Sequence, residues 1–450
     1  MIKHVKNTPV FFLLSIILAL IYWRTLAYPF QFDDFNVIVN RTDVHGLHAW
    51  WQSMPGMRPL LKLSYALNWQ FDTQPNYFRL FNLCCHLGSS FLVYLLAKAL
   101  LPFFNVQENH ALIAVLTAIM FALHPAHSEV VVYISSRSSG LMALLSLASM
   151  LVYLNWLTQT PQQMSRLYLS GLLWFAAVLV KEVALVVPML AAWLTYFVAP
   201  QKLSHLKQLS LKQKLLLLAC LLIPLLLVIS IPQYARLFTK LINPQLSQLA
   251  NQPFAHVHYL LNTLWGVGLN IDYGALQPAQ WLKVVSGLAW VVAVYLCWAK
   301  RKNWPLFSFA VGWWLICLLP TNSIINRPDL INDRQIYMAS ISVLLLLSVG
   351  LVHLQHFLPK MLGMLLLCVP IIYFGMGTVE RSADYQSEIS LWQASLIQNH
   401  FNARAWNNLG YAYQLAGEAK KAKDCYENAL MIDPNHSKAL RNLPLVNGSL

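Results

Sequence analysis

Charged side chains are scarce in this chain of 450 residues: 11% are Asp, Glu, Lys or Arg, whereas 58% are hydrophobic. A soluble domain carries about 25% charged residues. So few charges cannot cover a water-facing surface of this size, which excludes a soluble globular fold. The composition therefore predicts a protein that lies in a lipid bilayer.

The motifs of soluble enzymes and of thiol-based metal centres are missing as well. The chain has neither a P-loop nor a Gly-x-Ser-x-Gly elbow, and its seven cysteines include no Cys-x-x-Cys pair. The formal net charge of +14 does not indicate nucleic-acid binding, because lysines such as Lys3, Lys202 and Lys300 lie at the ends of apolar runs. Positive-inside anchors belong at such positions. We expect no nucleic-acid partner.

What the chain does have is long apolar runs. A helix that crosses the hydrocarbon core needs about 20 apolar residues, and this criterion gives about eleven spans. They lie near 9–27, 78–101, 111–123, 138–157, 167–180, 183–199, 213–231, 281–299, 304–320, 336–357 and 361–379. The lysines place the N-terminus in the cytoplasm, and an odd number of spans then places the C-terminus outside. We predict an all-α, polytopic membrane helix bundle over residues 1–379.

The segment after the last span is polar and predicts a separate C-terminal domain over residues 386–446. It contains a complete tetratricopeptide pattern, namely Trp406, Leu409, Gly410, Tyr413, Ala422, Tyr426, Ala429 and Pro434. One repeat cannot bury its own hydrophobic face. We therefore expect it to pack on a preceding helix, on the membrane domain or on a partner protein.

Two adjacent carboxylates, Asp33 and Asp34, follow the first span within an aromatic-rich segment. Mutual repulsion and partial desolvation raise the pKa of such a pair or demand a nearby cation. These properties suit a general base or a cation contact at the lipid surface. In an extended segment the two side chains point to opposite sides, so we expect one acid to act as the base and the other to hold the loop. The alternative is that both cap a turn.

A second polar segment, between two spans on the same predicted face, contains His124, His127 and Glu129 and ends at Arg137. Two histidines and a carboxylate suit a divalent metal or the orientation of an acceptor. The two histidines lack the i, i+4 spacing that is usual for helical zinc sites. The alternative is that Pro125 simply breaks the helix here. Both interpretations stay open at this point.

Ionisable residues also lie beside other spans of the same face. Lys181 and Glu182 separate two short spans, where charges are costly and often functional, although mutual pairing also explains them. Arg327 and Arg334 lie in the loop before the span that starts near Tyr337. An arginine beside a span on the outer face is suited to bind a lipid phosphate. The alternative is that these residues belong to a solvated loop.

In their order along the chain these motifs resemble those of the transmembrane and tetratricopeptide-repeat O-mannosyltransferases and their bacterial relatives. That family belongs to the GT-C superfamily of polyprenyl-phosphate-sugar-dependent glycosyltransferases. The resemblance covers nearly the whole chain and rests on the acidic pair, Arg58-Pro59-Leu60, residues 77–83 leading to His86, His124-Pro125-x-His127-x-Glu129, Lys181-Glu182, Asn270-x-Asp272-Tyr273, Arg334-x-x-Tyr337 and the terminal repeat.

The resemblance implies transfer of a sugar from a polyprenyl-phosphate-linked donor to a hydroxyl of a protein or glycan on the periplasmic or lumenal face. The base would be Asp33 or Asp34, with the first acid favoured. The donor phosphate would be bound by Arg334, Arg327, Lys181 and Tyr337. The substrate pocket would be formed by Arg58, His86, His124, His127, Glu129, Arg137, Glu182 and Asp272.

The resemblance requires no cofactor, and it is compatible with a divalent metal. A short chain with one repeat is more typical of bacterial members, which predicts a multi-pass protein of the bacterial inner membrane with its active site and repeat in the periplasm. A protein partner would bind through the repeat. The alternatives from other classes are a transporter or lipid flippase, and a membrane scaffold without catalytic activity. The sequence indicates neither the sugar nor the acceptor.

Overall fold

The computed structural model describes residues 7–54, 56–161, 163–202, 249–323 and 329–447, together with isolated positions between 211 and 231. Within these residues the secondary structure is helical and contains no strand. The predicted all-α class is confirmed.

The membrane part is formed by fourteen described helices, which we number in chain order. They are α1 (Thr8–Tyr22), α2 (Leu47–Gln52), α3 (Pro59–Phe71), α4 (Pro75–Leu100), α5 (His110–Ala122), α6 (Ser128–Val132), α7 (Arg137–Thr158), α8 (Met164–Val180), α9 (Val187–Val198), α10 (Gln252–Trp265), α11 (Gln280–Ala299), α12 (Pro305–Leu318), α13 (Ile336–Gln355) and α14 (Lys360–Ala383). Four further helices follow: α15 (Glu388–Gln398), α16 (Ala403–Leu415), α17 (Ala419–Ile432) and α18 (Ser437–Asn447).

Local chemistry explains where several helices begin and end. Helices α3, α4 and α12 each have a proline in the first turn, where the missing N–H costs no hydrogen bond. The Asn109 side chain accepts hydrogen bonds from two backbone N–H groups at the start of α5. Helix α10 ends at Gly266, whose φ of +62° is the left-handed conformation that favours glycine.

The apolar helices agree with the predicted membrane bundle. Among the described residues, six helices (α1, α4, α7, α11, α13 and α14, with short extensions) are long and apolar enough to cross a bilayer. The shorter α8, α9 and α12 coincide with three further predicted spans, while α5 and the segment Pro125–Val132 form a pair bent by 52°. The predicted span at 213–231 lies largely outside the described residues, so the number of spans stays a prediction.

The centre of the bundle is formed by α4, α5, α7 and α13, which pack on one another around buried Phe78, Phe121, Leu147 and Leu344. The segment 124–137, the polar segment predicted between two spans, is mostly helical and buried. It forms a turn at Pro125–His127, helix α6 and a second turn at Ile134–Ser136. Polar residues of this segment are thereby held inside the protein.

The repeat forms the expected helical hairpin. Helices α16 and α17 approach closely because position 410 is a glycine: a Cβ atom there would lie 2.8 Å from the Tyr426 ring. The apolar face of the hairpin is buried against α15 in a cluster that contains Trp392, Leu396 and Leu409. The repeat also contacts the membrane part, since Arg404 forms an ion pair with Asp272. The expectation that one repeat needs a neighbouring surface thus agrees with its packing.

Candidate active site

The acidic pair lies in a helical turn. Asp34 has φ −58° and ψ −34°, so the expected extended conformation is wrong. The aromatic residues around the pair pack against neighbouring elements and close the chain into this turn; Phe30, for example, lies edge-on to Phe78 with ring centroids 5.6 Å apart. The environments of the two acids nevertheless differ. Asp34 is fully buried, whereas Asp33 is half-buried.

Asp34 is fixed by three hydrogen-bond donors. Its Oδ1 accepts from the backbone N–H of Ser135 at 2.8 Å and from the Ser135 hydroxyl at 2.5 Å. Its Oδ2 accepts from the Gln31 backbone N–H at 3.1 Å. Burial raises the pKa of Asp34 to about 6, and the hydrogen bonds from Ser135 and Gln31 oppose this rise. These contacts suit a residue that holds the turn in place.

Asp33 is held differently. Its backbone N–H donates to the Tyr133 hydroxyl at 3.1 Å, while its carboxylate makes no hydrogen bond or ion pair with any residue that the structure describes. Burial raises the pKa of Tyr133 well above its usual value, so this hydroxyl stays protonated. The backbone of Asp33 is therefore fixed, and its carboxylate remains available to a substrate.

Arg79 supports the same turn from within α4. Its guanidinium donates to the carbonyls of Tyr28 and Pro29 in the segment before the acids, and its Nε donates to the Val132 carbonyl at 2.9 Å. An arginine within a membrane helix is costly unless its donors are used. Arg79 thus ties the chain ahead of Asp33 to the segment 132–136.

Three of the four residues predicted to bind the donor phosphate line one cavity. Arg334, Lys181 and Tyr337 border it together with Ser139 and Thr321. The Lys181 ammonium donates to the Ser139 hydroxyl at 2.8 Å. Two cations in one partly buried cavity can bind a phosphate through charge-assisted hydrogen bonds. The fourth residue, Arg327, lies outside the described residues.

The acidic turn and the cationic cavity meet at the segment Tyr133–Ser136. Tyr133 and Ser135 contact Asp33 and Asp34, as described above. The next residue, Ser136, has its hydroxyl 3.5 Å from Arg334 Nη1. A segment of four residues therefore contacts both the backbone of Asp33 and the guanidinium of Arg334.

Glu129 lies close to this arginine. Its side chain is 1% exposed, and its Oε1 is 3.6 Å from Arg334 Nη1. Neither carboxylate oxygen has a hydrogen-bond partner among the described residues. A buried carboxylate without such partners depends on the neighbouring cation, so Arg334 also compensates the charge of Glu129.

The three predicted histidines form one buried cluster beside the cavity. His86 bonds to the Tyr337 hydroxyl at 2.7 Å and to the Ala122 carbonyl at 3.0 Å. His127 bonds to the Phe121 carbonyl at 2.7 Å and to the Ser340 hydroxyl at 3.1 Å. His124 bonds to the Thr263 carbonyl at 2.9 Å. A ring nitrogen next to a carbonyl must donate, so each imidazole has a defined tautomer that leaves its other nitrogen as an acceptor.

These contacts leave the histidines poorly placed to bind a metal. Both ring nitrogens of each histidine already have protein partners, since the second nitrogen of His124 accepts from the Ala126 backbone N–H at 3.2 Å. In the part of the chain that the structure describes, no group of three or more His, Cys, Asp or Glu side chains is arranged to hold a metal ion. The histidines instead hold the segment 124–127 against α4, α10 and α13.

Three other predicted pocket residues form internal links. Arg58 pairs with Glu182 through two hydrogen bonds of 2.7 and 3.0 Å, which join the start of α3 to the turn after α8. Arg137 is buried and donates to the Asn82 side chain and to the carbonyls of Ser64 and Phe78. None of the three residues lines the cavity, and the predicted role of each in binding substrate stays a prediction.

Asp272 lies at the junction with the repeat. Its carboxylate accepts from the Arg404 guanidinium and from the Gly274 backbone N–H, the latter at 2.8 Å. Asn402 donates to its carbonyl at 3.1 Å. The structure therefore places Asp272 in the contact between the membrane part and the repeat rather than in the cavity.

Comparison with known proteins identifies a family model for the repeat and several relatives of the whole chain. The tetratricopeptide repeat family matches residues 403–436. A Caenorhabditis elegans protein O-mannosyl-transferase is 25% identical over 97% of this chain and 64% of its own length. Protein O-mannosyl-transferase TMTC3 of Mus musculus is 24% identical over 95% of this chain and 51% of its own length. The human TMTC3 protein is 23% identical over 94% of the chain.

The predicted resemblance to these O-mannosyltransferases is confirmed. The chain spans between half and two thirds of the length of these relatives. No solved structure matches it. Together with the apolar helices, the similarity to the O-mannosyltransferases supports a multi-pass membrane protein.

Some residues of the site were not predicted from the sequence. Tyr133, Ser135 and Ser136 lie between Glu129 and Arg137. They carry no charge, and no feature of the sequence distinguishes them. Arg79 lies inside a motif of the O-mannosyltransferase pattern, and an arginine within an apolar helix was a signal that could have identified it. Glu388, which contacts the acidic turn from the side of the repeat, carried no signal at all.

Proposed function

We propose that the chain is a membrane glycosyltransferase that moves a sugar from a polyprenyl-phosphate-linked donor to a hydroxyl of a protein acceptor. The sugar that we propose is mannose. The observation that carries the proposal is the segment Tyr133–Ser136, which contacts both the acidic turn and Arg334. The names of the relatives, all protein O-mannosyl-transferases, support the choice of mannose and of a protein acceptor.

In this mechanism the acceptor hydroxyl attacks the anomeric carbon of the donor sugar. A new carbon–oxygen bond forms, the bond to the donor phosphate breaks, and its electron pair leaves with the phosphate. Asp33 takes the proton of the acceptor hydroxyl. Arg334 and Lys181 stabilise the charge of the departing polyprenyl phosphate, which needs no protonation because it is already a good leaving group.

A transporter and a scaffold explain less of the structure. A scaffold accounts for the repeat but gives no reason for a carboxylate without a hydrogen-bond partner among the described residues, or for two cations in one cavity. Transporters usually place such charges near the midplane between two related halves, and the chain shows no repeated halves in its sequence. A transferase accounts for both the Asp33 carboxylate and the cations of the cavity.

Reconstitution tests the proposed activity directly. The purified full chain in proteoliposomes, supplied with polyprenyl-phosphate mannose and a Ser/Thr-rich peptide, should release polyprenyl phosphate and form mannosylated peptide. Polyprenyl-phosphate glucose serves as the comparison for the sugar. Transfer from neither donor to any hydroxyl acceptor, in protein that binds both lipids, would exclude the proposed reaction.

We further propose that the site and the repeat lie on the periplasmic side of a bacterial inner membrane. The support is the position of the lysines together with an odd number of spans. Alkaline phosphatase fused after Leu450 should then be active, and a fluorescent protein that matures only in the cytoplasm should stay dark. The reverse pattern would contradict both the topology and the outer location of the site.

A further inference from the structure

Helix α15, which precedes the repeat, reaches back to the acidic turn. The Glu388 carboxylate accepts a hydrogen bond from the backbone N–H of Phe32 at 2.8 Å. The Phe32 ring lies edge-on to Trp392, with ring centroids 4.9 Å apart. The Gln31 side chain donates to the carbonyl of Tyr385, in the turn before α15. Three contacts from the repeat side thus meet on the two residues before Asp33.

The backbone of Phe32 needs such support. Its φ is +46°, in the left-handed region that a bulky residue other than glycine rarely adopts. A residue persists in this conformation only where its surroundings hold it. The conformation of Phe32 sets the direction in which the chain enters Asp33, so the contacts that hold Phe32 also orient the proposed base.

The same contacts connect Asp33 to the core of the repeat. Trp392 and Leu396 of α15 form one hydrophobic cluster with Leu409 and Cys425 of the repeat helices, and Phe32 packs against this cluster. The interior of the protein is close-packed, so a displacement of α15 is transmitted to the residues that touch it. The repeat and the acidic turn are therefore parts of one packed unit.

We propose that Glu388 and Trp392 are positioning residues that hold the Phe32–Asp33 turn in its reactive conformation, so that the tetratricopeptide repeat is a structural part of the active site. The inference rests on the proposed function, because it takes Asp33 as the base. Neither residue touches substrate in this arrangement; both act through the backbone of Phe32. The repeat thereby orients the base, in addition to any partner that it binds.

Variants of Glu388 in the full-length chain distinguish the effect of side-chain length from the effect of charge. Glu388→Gln keeps an acceptor oxygen at the same distance and should stay within about threefold of the wild-type kcat. Glu388→Asp keeps the charge but withdraws the acceptor by one methylene, and Glu388→Ala removes it. Both should lower kcat by roughly tenfold, because the Phe32 N–H loses its acceptor and Phe32 leaves the conformation that this bond holds, with little change in the KM for the donor. Glu427→Ala, an exposed position in α17, is the matched control.

A readout without substrate distinguishes positioning from a general loss of stability. Hydrogen exchange of the backbone in residues 28–36 should accelerate about tenfold or more in Glu388→Asp and Glu388→Ala. It should stay at the wild-type rate in Glu388→Gln and Glu427→Ala, while exchange in α7 and α13 is unchanged in all four. Trp392→Phe, which keeps a smaller ring against Phe32, should lie between the wild type and Glu388→Ala.

A double variant tests whether Glu388 acts through Asp33. Glu388→Ala should cost nothing further in an Asp33→Asn background, because the base it positions is already absent. Equal losses in both backgrounds, or unchanged exchange of residues 28–36 in Glu388→Ala, would overturn the positioning role while the transferase stands. Full activity of Asp33→Asn itself would instead remove the base on which this inference rests, and full activity of both Asp33→Asn and Asp34→Asn would contradict the transferase mechanism.

Discussion

Asp33→Asn is expected to lower the rate of sugar transfer by about 10²–10⁴, the usual contribution of a general base, while the protein still accumulates in the membrane. The substitution keeps the size of the side chain and removes its ability to take a proton. It breaks no contact among the described residues, because the Asp33 carboxylate has no partner there and its backbone bond to Tyr133 does not involve the side chain. Single-turnover kinetics in proteoliposomes, with the yield of folded protein measured in parallel, check this expectation.

Asp34→Asn is the matched control. The Asp34 carboxylate accepts from Ser135 and Gln31, and an amide has only one oxygen to offer, so its NH₂ group faces one of these donors. The loss should therefore appear as a lower melting temperature and expression, with a smaller fall in the rate per folded molecule. If both variants transfer sugar at near-normal rates, the turn only caps the first span and the proposed mechanism is wrong.

The architecture was predictable because it depends on local patterns. Long apolar runs predict membrane helices from their length alone, and the tetratricopeptide pattern fixes a hairpin through small and large residues at set spacings, such as Gly410 against Tyr426. The acidic pair and the cations of the cavity stood out because charges are rare in this chain. The two turns and the short helix α6 between residues 125 and 136 were not predicted, since elements this short show no periodic pattern of apolar residues.

The partners of the site residues could not be predicted, because they are distant in sequence. Asp34 is held by Ser135, 101 residues away, and Phe32 by Glu388, 356 residues away. Asp272, expected in the pocket, pairs with Arg404, 132 residues away. No local pattern records such pairings. The sequence therefore identified which residues carry charge, and only the fold determines which of them face the cavity and which hold the protein together.

Arg334→Ala is expected to weaken use of the lipid donor by roughly tenfold to hundredfold in kcat/KM, because a hydrogen bond to a charged group contributes about 1.5–3 kcal/mol. The reason is its place in the cavity beside Lys181, where a guanidinium can bind a phosphate with two parallel bonds. Arg334→Lys keeps the charge without the paired geometry and should recover part of the loss. Lys302→Ala, an exposed cation after α11, should have no effect.

The neighbouring Glu129 complicates this experiment and also provides its control. Removing Arg334 leaves a carboxylate that is 1% exposed without its closest cation, 3.6 Å away, and an unpaired buried charge is strongly destabilising. The double variant Arg334→Ala/Glu129→Gln removes that charge as well. We expect it to regain the melting temperature of the wild type while donor use stays impaired. Recovery of donor use together with stability would show that Arg334 only compensates the charge of Glu129. The binding of the donor phosphate would then have to be assigned to Lys181.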